Sequence, residues 1–243
     1  MNRIALCIYG LPRGNSSVWN EIFKLSEYYN CDVFVHSWLK PSTRTNHLGV
    51  RIDQDLAYSK FLDFFKSREC VKKIVFENQL KHKFKSNKVD NDNKSNQLNS
   101  LISMNNSIDL AIRYSSTVNH SYDHFIVTRL DCDLSALNLD LIKFKSDFSH
   151  LGYFNKATNT WEWEDVFFIM KKSAIYILAD VIEKYRKEFY FEKNIRNILL
   201  YEIEEKKLDI TSLSEGEKVI DICRKKTFSY LLYAIGYKIL KRR

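Results

Sequence analysis

Short apolar runs alternate with amphipathic stretches in the first part of the chain. Ile4 to Tyr9 is a continuous apolar run that ends at the turn Gly10-Leu11-Pro12-Arg13-Gly14. Cys31 to Trp38 is a second run of the same kind. Between them, apolar residues recur at helical spacing at Trp19, Ile22, Phe23 and Leu25. Two buried strands joined by one helix predict a βαβ unit, and therefore a parallel sheet.

The same alternation continues toward the middle of the chain. Phe61 to Phe65 belongs to a predicted helix and Lys73 to Phe76 to a third strand. A further helix is predicted from Leu98, with one apolar face at Leu101, Met104, Ile108 and Ala111. This helix leads into an apolar strand that begins at Tyr122 and runs to Asp133.

Residues 81–100 interrupt the pattern, since they are almost entirely Lys, Asn, Ser, Asp and Gln. The composition predicts a mobile segment. Two interpretations are open, an inert surface loop and a lid over a substrate.

No linker-like stretch divides the chain, so one α/β domain is the simplest organisation. Residues 1–175 form its predicted catalytic part, with a mostly parallel central sheet flanked by helices. Residues 176–243 form a predicted helical C-terminal part of the same domain.

Composition narrows the class of protein. Hydrophobic residues make up 45% and aromatic residues 14% of the chain, which supports a substantial core. The sequence contains no run of about 18 apolar residues, so no membrane span is predicted. The five cysteines include no Cys-x-x-Cys pair, so neither a zinc site nor a disulfide framework is indicated. A reducing cytoplasm is therefore the expected compartment.

The formal net charge of +8 predicts an acidic partner. Only six glycines occur, and neither G-x-G-x-x-G nor a Walker-type phosphate loop is present. Residues 224–243 combine helically spaced apolar residues with basic residues at both ends. This composition is typical of a peripheral helix on the inner, anionic face of the plasma membrane, and also of a terminal helix packed on the core.

Asp131 and Asp133 carry the clearest chemical signal, a DXD pattern at the end of an apolar strand. Side chains alternate along a strand, so the two carboxylates are expected to point to the same side. Hard oxygen ligands suit Mg²⁺ or Mn²⁺, especially a cation that is also held by substrate phosphates.

Three segments resemble a family of bacterial surface-polysaccharide glycosyltransferases, small enzymes of capsule and lipopolysaccharide synthesis with a glycosyltransferase-A-like fold. They are Ile4–Arg13, in which Leu11 replaces the family's usual polar residue, Asp32–Trp38 and Tyr122–Asp133. Glu164–Ile169 is a weaker fourth match. The resemblance covers residues 1–175, and the C-terminal third cannot be aligned with it.

The resemblance implies a nucleotide-sugar donor across the carboxyl ends of the strands, with Asp131 and Asp133 holding the metal against its phosphates. The residues assigned to donor binding are Gly10, Pro12, Arg13, His36 and Arg129. Three of these have structural alternatives: Arg13 as a surface turn residue, His36 as a hydrogen-bonded strand end, and Arg129 as an ion-pair partner of Asp131. For Arg129 the ion pair is favoured.

The acceptor side is expected to come from a separate strand. Asp165 is the candidate general base and Glu164 its competitor, since alternation sends only one of the two into the site. Trp161 and Trp163 are candidates for stacking on an acceptor sugar, with core packing as the alternative.

The predicted function is metal-assisted transfer of a sugar from a nucleotide-sugar to a saccharide or lipid-linked acceptor in surface polysaccharide synthesis. One alternative is a nucleotidyl- or phosphotransferase, which could use the same carboxylates. The other is a non-catalytic basic protein that binds nucleic acid, although the basic residues do not interleave with aromatics as that function requires, and no nucleic acid is expected.

Overall fold

A computed structural model describes eleven segments of the 243-residue chain. They are residues 3–12, 16–38, 44–45, 51–52, 58–78, 88–135, 137–155, 160–187, 202–203, 205–212 and 221–222.

Eleven strands lie in these segments. They are β1 (Ile4–Gly10), β2 (Asp32–Trp38), β3 (Arg44–Thr45), β4 (Arg51–Ile52), β5 (Val71–Glu77), β6 (His124–Arg129), β7 (Cys132–Asp133), β8 (Phe148–Asn155), β9 (Thr160–Lys171), β10 (Ile210–Ser212) and β11 (Asp221–Ile222). The α-helices are α1 (Ser16–Tyr29), α2 (Tyr58–Lys66), α3 (Lys88–Thr117) and α4 (Tyr176–Lys187).

Seven strands form one sheet in the order β10-β8-β9-β6-β1-β2-β5. β1 pairs in parallel with both β2 and β6, and β2 pairs in parallel with β5. β9 is antiparallel to its neighbours β6 and β8. The predicted βαβ unit and the mostly parallel sheet are confirmed.

Helices cover both faces of the sheet, which explains why β1 and β2 read as continuous apolar runs. Alternate residues of each strand enter different cores. Cys7 and Phe34 belong to the core beneath α3 and α4, whereas Leu6 and Val33 belong to the core beneath α1 and α2. On that second face Trp19 of α1 lies edge-on to Phe61 of α2, with ring centroids 5.5 Å apart.

Helix α3 corrects the interpretation of residues 81–100. The helix begins at Lys88, so its first turns consist of residues that were predicted to form a loop or lid. Once a helix is nucleated, each further residue adds a backbone hydrogen bond, and polar residues can extend it without packing. The predicted apolar face is confirmed, because Leu101, Met104, Ile108 and Ala111 are buried. Residues 81–87 lie outside the described segments.

The strand that carries the aspartates is also shorter than predicted. β6 ends at Arg129, and a turn at Leu130 and Asp131 separates it from β7. Asp131 and Asp133 therefore do not lie on one continuous strand, and alternation cannot be used to align their side chains.

The C-terminal part contains α4, in line with the predicted helical character. It also contains two short strands, β10 and β11, that the sequence pattern does not predict. β10 joins the main sheet beside β8, and β11 pairs with β7. Residues 224–243, the proposed membrane-facing segment, lie outside the described segments. Among the helices that are described, none is both long and apolar enough to cross a bilayer.

Candidate functional site

The order of the strands marks one edge of the sheet. The chain runs outward from β1 to β2 and β5, then returns to form β6 on the other side of β1. All four strands are parallel, so their carboxyl ends meet at the same edge. In open α/β sheets, ligands bind in the crevice outside the carboxyl ends at such a reversal of strand order.

Gly10 ends β1 at this edge. Its φ is +104°, a value that residues with a side chain rarely adopt, and a Cβ added there would meet no atom within 4 Å. The Gly10 amide donates to Ser103 Oγ of α3 at 3.2 Å. Glycine is therefore required by backbone conformation, and the space beside it is open to a ligand.

Ser37 lies directly opposite Gly10 in the pairing of β1 with β2. It is fully buried, and within the described part of the chain its hydroxyl has no hydrogen-bond partner. By alternation with Val33 and Val35, its side chain is on the face covered by α1 and α2. A buried hydroxyl without a partner costs about 1–3 kcal/mol of stability, and its burial keeps it out of direct contact with a ligand in this structure.

Arg129 and Asp131 form a bidentate ion pair at the carboxyl end of β6. Arg129 Nε donates to Asp131 Oδ1 at 2.9 Å, and Nη2 donates to Oδ2 at 2.8 Å. The Arg129 side chain is 20% exposed and that of Asp131 only 4%. Burial lowers the pKa of Arg129, but neighbouring groups, Asp131 foremost, together outweigh this effect and the net pKa is raised. The guanidinium therefore keeps its positive charge, which the Asp131 carboxylate balances. The structure contains the ion pair that the sequence analysis favours for Arg129.

Asp133 has different surroundings. Its Oδ1 accepts the Ser135 amide at 3.0 Å in an exposed turn. In the pairing of β7 with β11, Asp133 lies directly across from Asp221. Sequence reasoning missed Asp221, since the two-residue strand that carries it has no periodicity of its own.

His36 is buried at the end of β2 and contacts α3. Its Nδ1 is 2.8 Å from Ser103 Oγ, and its Nε2 is 3.2 Å from Asn106 Nδ2. Nε2 is also 3.3 Å from Oε2 of Glu77, the last residue of β5. The ring is 1% exposed, so in this structure it reaches the crevice only through other groups.

The surroundings of His36 predict a pH dependence of stability. Burial lowers its pKa below the ordinary 6.5, and Glu77 opposes this effect without reversing it. The unfolded chain therefore binds more protons between the folded pKa and 6.5. We expect the free energy of unfolding to be highest above about pH 7 and to fall as the pH drops through 6.5.

Urea unfolding at a series of pH values from about 8 to 5.5 checks this expectation. The His36→Gln variant should show a shallower decline. A residual slope is expected because burial also lowers the pKa of His124. Equal slopes in the two proteins would contradict the assignment to His36.

The remaining predicted site residues are only partly described. Pro12 is buried, and Arg13 lies outside the described segments. The acceptor candidates Trp161, Trp163, Glu164 and Asp165 are in β9, where their side chains lie outside the described part. The last β6 residue paired with β9 is Thr128, opposite Phe167. Because the two strands are antiparallel, residues 160–166 extend β9 at the same edge as the carboxyl end of β6.

The described side chains do not form a complete metal site. No group of three or more His, Cys, Asp or Glu residues within the described segments could hold an ion. Both oxygens of Asp131 already accept hydrogen bonds from Arg129. The carboxylate at Asp133 is nevertheless a hard oxygen donor of the type that Mg²⁺ and Mn²⁺ prefer.

No protein-family model matches the sequence, and no curated protein matches it at a significant level. Among solved structures, 4-diphosphocytidyl-2C-methyl-D-erythritol synthase from Anaerococcus prevotii is similar over 97% of this chain and 98% of its own, with a TM-score of 0.50 and 10% identity. This likeness confirms the α/β fold class.

Two further structures have lower scores. A nucleoside-diphosphate-sugar pyrophosphorylase from Vibrio cholerae RC9 has a TM-score of 0.47 at 9% identity, over 90% of this chain and 95% of that chain. A glycosyltransferase involved in the glycosylation of the major capsid of PBCV-1 has a TM-score of 0.44 at 7% identity, over 86% and 81%. At such identities a structural likeness concerns the fold alone.

Proposed function

We propose that this protein is a transferase that binds a nucleotide-linked substrate at the carboxyl edge of its sheet. The observation that carries the proposal is the reversal of strand order between β1 and β6. There Gly10, whose Cβ position is open, and the guanidinium of Arg129 lie at the ends of adjacent strands. An open backbone and guanidinium N–H donors are features that a phosphate-bearing ligand can use.

The phosphates would lie beside Gly10 because no side chain blocks its backbone. Helix α1 begins at Ser16, soon after β1, and has no acidic residue in its first turn. The amino end of a helix attracts anions through its free amides and its dipole. Arg129 offers guanidinium N–H donors from β6, although Asp131 balances its charge. The net charge of +8 favours the approach of an anionic substrate.

A divalent cation fits the donor chemistry at Asp133, which lies opposite Asp221 in the backbone pairing of β7 with β11. With so few protein ligands, Mg²⁺ or Mn²⁺ would be held together with substrate phosphates. When bound, such an ion stabilises the negative charge of a departing diphosphate.

Sugar transfer is the reaction we favour. The bond between the anomeric carbon and the diphosphate oxygen breaks, and an acceptor hydroxyl forms the new glycosidic bond after losing its proton. Asp165 or Glu164 of β9 would take that proton, and Trp161 or Trp163 would contact the acceptor. We place this activity in bacterial surface polysaccharide synthesis, with a saccharide or lipid-linked acceptor.

A second candidate is nucleotidyl transfer. The structure from Anaerococcus prevotii is named for the synthesis of a diphosphocytidyl compound, and it shares this fold over nearly its whole length. In that reaction a nucleoside triphosphate and a phosphorylated acceptor yield a nucleotide-linked product and pyrophosphate.

Thermal unfolding with UDP, GDP, CDP and ADP, each with and without Mn²⁺, tests nucleotide binding. We expect at least one nucleotide to stabilise the protein by about 2.7 kcal/mol at 100 times its dissociation constant. Mn²⁺ alone should have little effect, because the described side chains do not complete a metal site. Stabilisation by none of the four nucleotides, with or without Mn²⁺, would contradict the proposal.

Product analysis separates the two reactions. Release of a nucleoside diphosphate from a nucleotide-sugar supports glycosyl transfer, whereas release of pyrophosphate from a nucleoside triphosphate supports nucleotidyl transfer. Chemical analysis of the acceptor product then identifies the bond formed.

A further inference from the structure

The ends of β1, β2 and β5 are connected through one helix by a chain of polar contacts. It runs from Glu77 through Asn106, His36 and Ser103 to the amide of Gly10. His36 and Ser103 are buried, Asn106 is half-buried, and the Glu77 side chain is 51% exposed. The contacts therefore lead from the protein surface to the glycine that borders the crevice.

The hydrogen-bond capacity of Ser103 determines the protonation of His36. A serine hydroxyl donates once and accepts twice. Ser103 Oγ donates to the His36 carbonyl at 3.2 Å and accepts from the Gly10 amide at 3.2 Å. Its remaining position accepts from His36 Nδ1, which must then carry the proton. Because burial lowers the pKa of His36 and favours the neutral ring, Nε2 accepts from the Asn106 amide, whose nitrogen also donates to Glu77 Oε2 at 3.4 Å.

We propose that His36 and Ser103 are positioning residues that hold the Gly10 backbone in its ligand-facing conformation. Ser103 lies 93 residues from Gly10 in the chain, so this contact depends on the packing of α3 against β1. The role rests on the proposed function, since the ligand beside Gly10 is taken to be the nucleotide-linked substrate. His36 acts on that ligand through Ser103 and Gly10, without touching it.

Two pairs of variants separate this role from general packing. Ser103→Ala removes the hydroxyl that Gly10 uses. Ser107→Ala is its matched control, because Ser107 is equally buried one turn later on α3 and, among the residues that the structure describes, donates only to the Met104 carbonyl at 2.7 Å. In His36→Asn the new side-chain amide lies near the position of Nδ1, so it can still donate to Ser103. In His36→Gln the amide lies near the position of Nε2, and the donor to Ser103 is lost.

Hydrogen exchange of the Gly10 amide in the ligand-free protein is the first measurement. We expect exchange to rise about fivefold in Ser103→Ala and His36→Gln, the effect of one lost hydrogen bond. Ser107→Ala should match the wild type, and His36→Asn should fall between the wild type and His36→Gln. Nitrogen-15 shifts of the wild type should show His36 with a proton on Nδ1 and none on Nε2. Unchanged Gly10 exchange in Ser103→Ala and His36→Gln would overturn the proposal.

Calorimetric titration with UDP, GDP, CDP and ADP in the presence of Mn²⁺ is the second measurement. The dissociation constant of the nucleotide that the wild type binds should rise about fivefold in Ser103→Ala and His36→Gln, and no more than twofold in His36→Asn. Faster Gly10 exchange with unchanged affinity overturns the positioning role. If the wild type binds none of the four nucleotides, the proposed function fails and the positioning role with it, while the exchange data still show whether Ser103 holds Gly10.

Discussion

Replacing Asp131 by alanine is expected to lower the free energy of unfolding by about 3 kcal/mol, the usual cost of removing one partner from a buried ion pair. Asp131 is 3% exposed and accepts both hydrogen bonds of the Arg129 fork. Without it, the guanidinium stays largely buried with its charge uncompensated. Urea unfolding of the wild type and the variant measures the loss.

A double variant tests the cause of that loss. Arg129→Met with Asp131→Ala removes both charges, so it should recover much of the stability that Asp131→Ala loses. The Arg129→Met single variant completes the comparison. If the double variant loses as much free energy of unfolding as the two single variants together, the two side chains do not act as a pair. A change below about 0.5 kcal/mol in Asp131→Ala, typical of an exposed site, would contradict the structural role of Asp131.

Replacing Asp133 by asparagine is expected to reduce transfer at least 100-fold while the free energy of unfolding changes by less than about 0.5 kcal/mol. Asparagine keeps an Oδ1 that can accept the Ser135 amide, as Asp133 does in its exposed turn. Only the negative charge is lost, and with it the proposed cation ligand. Initial rates with the best donor, at several Mn²⁺ concentrations, measure the effect.

Asp123→Asn is a matched control for Asp133→Asn. Asp123 is exposed just before β6, at the opposite end of that strand, and its Oδ2 accepts the Arg3 amide at 3.1 Å. It should retain wild-type rates. Full activity in Asp133→Asn would remove Asp133 from the site, and equal losses in both variants would show that the rate depends on net charge.

These two predictions separate residues that the sequence presents as equivalent. The Asp-x-Asp spacing predicts two carboxylates on one strand face with one role. In the structure a turn at Leu130 and Asp131 intervenes, Asp131 bonds to Arg129, and Asp133 pairs across to β11. Local spacing cannot predict a turn whose partner strand lies almost 90 residues later.

The elements of the fold are far better predicted by sequence than the contacts of the site. The ends of β1 and β2 agree with the pattern to within one residue, and the buried face of α3 agrees residue by residue. The first turns of α3 are not predicted as helix, because a polar composition alone does not indicate the backbone conformation.

A mostly parallel α/β sheet covered on both faces is predictable from the sequence, since strands buried on both sides need uninterrupted apolar residues. The sequence also identifies the sheet edge that Gly10, His36 and Arg129 share, because these residues end apolar strands. The role of each side chain at that edge depends on contacts that form only in the folded protein. Ser103 reaches Gly10 and His36 across 93 and 67 residues of chain. Contacts of that range depend on strand order and helix packing, which no local pattern of residues encodes.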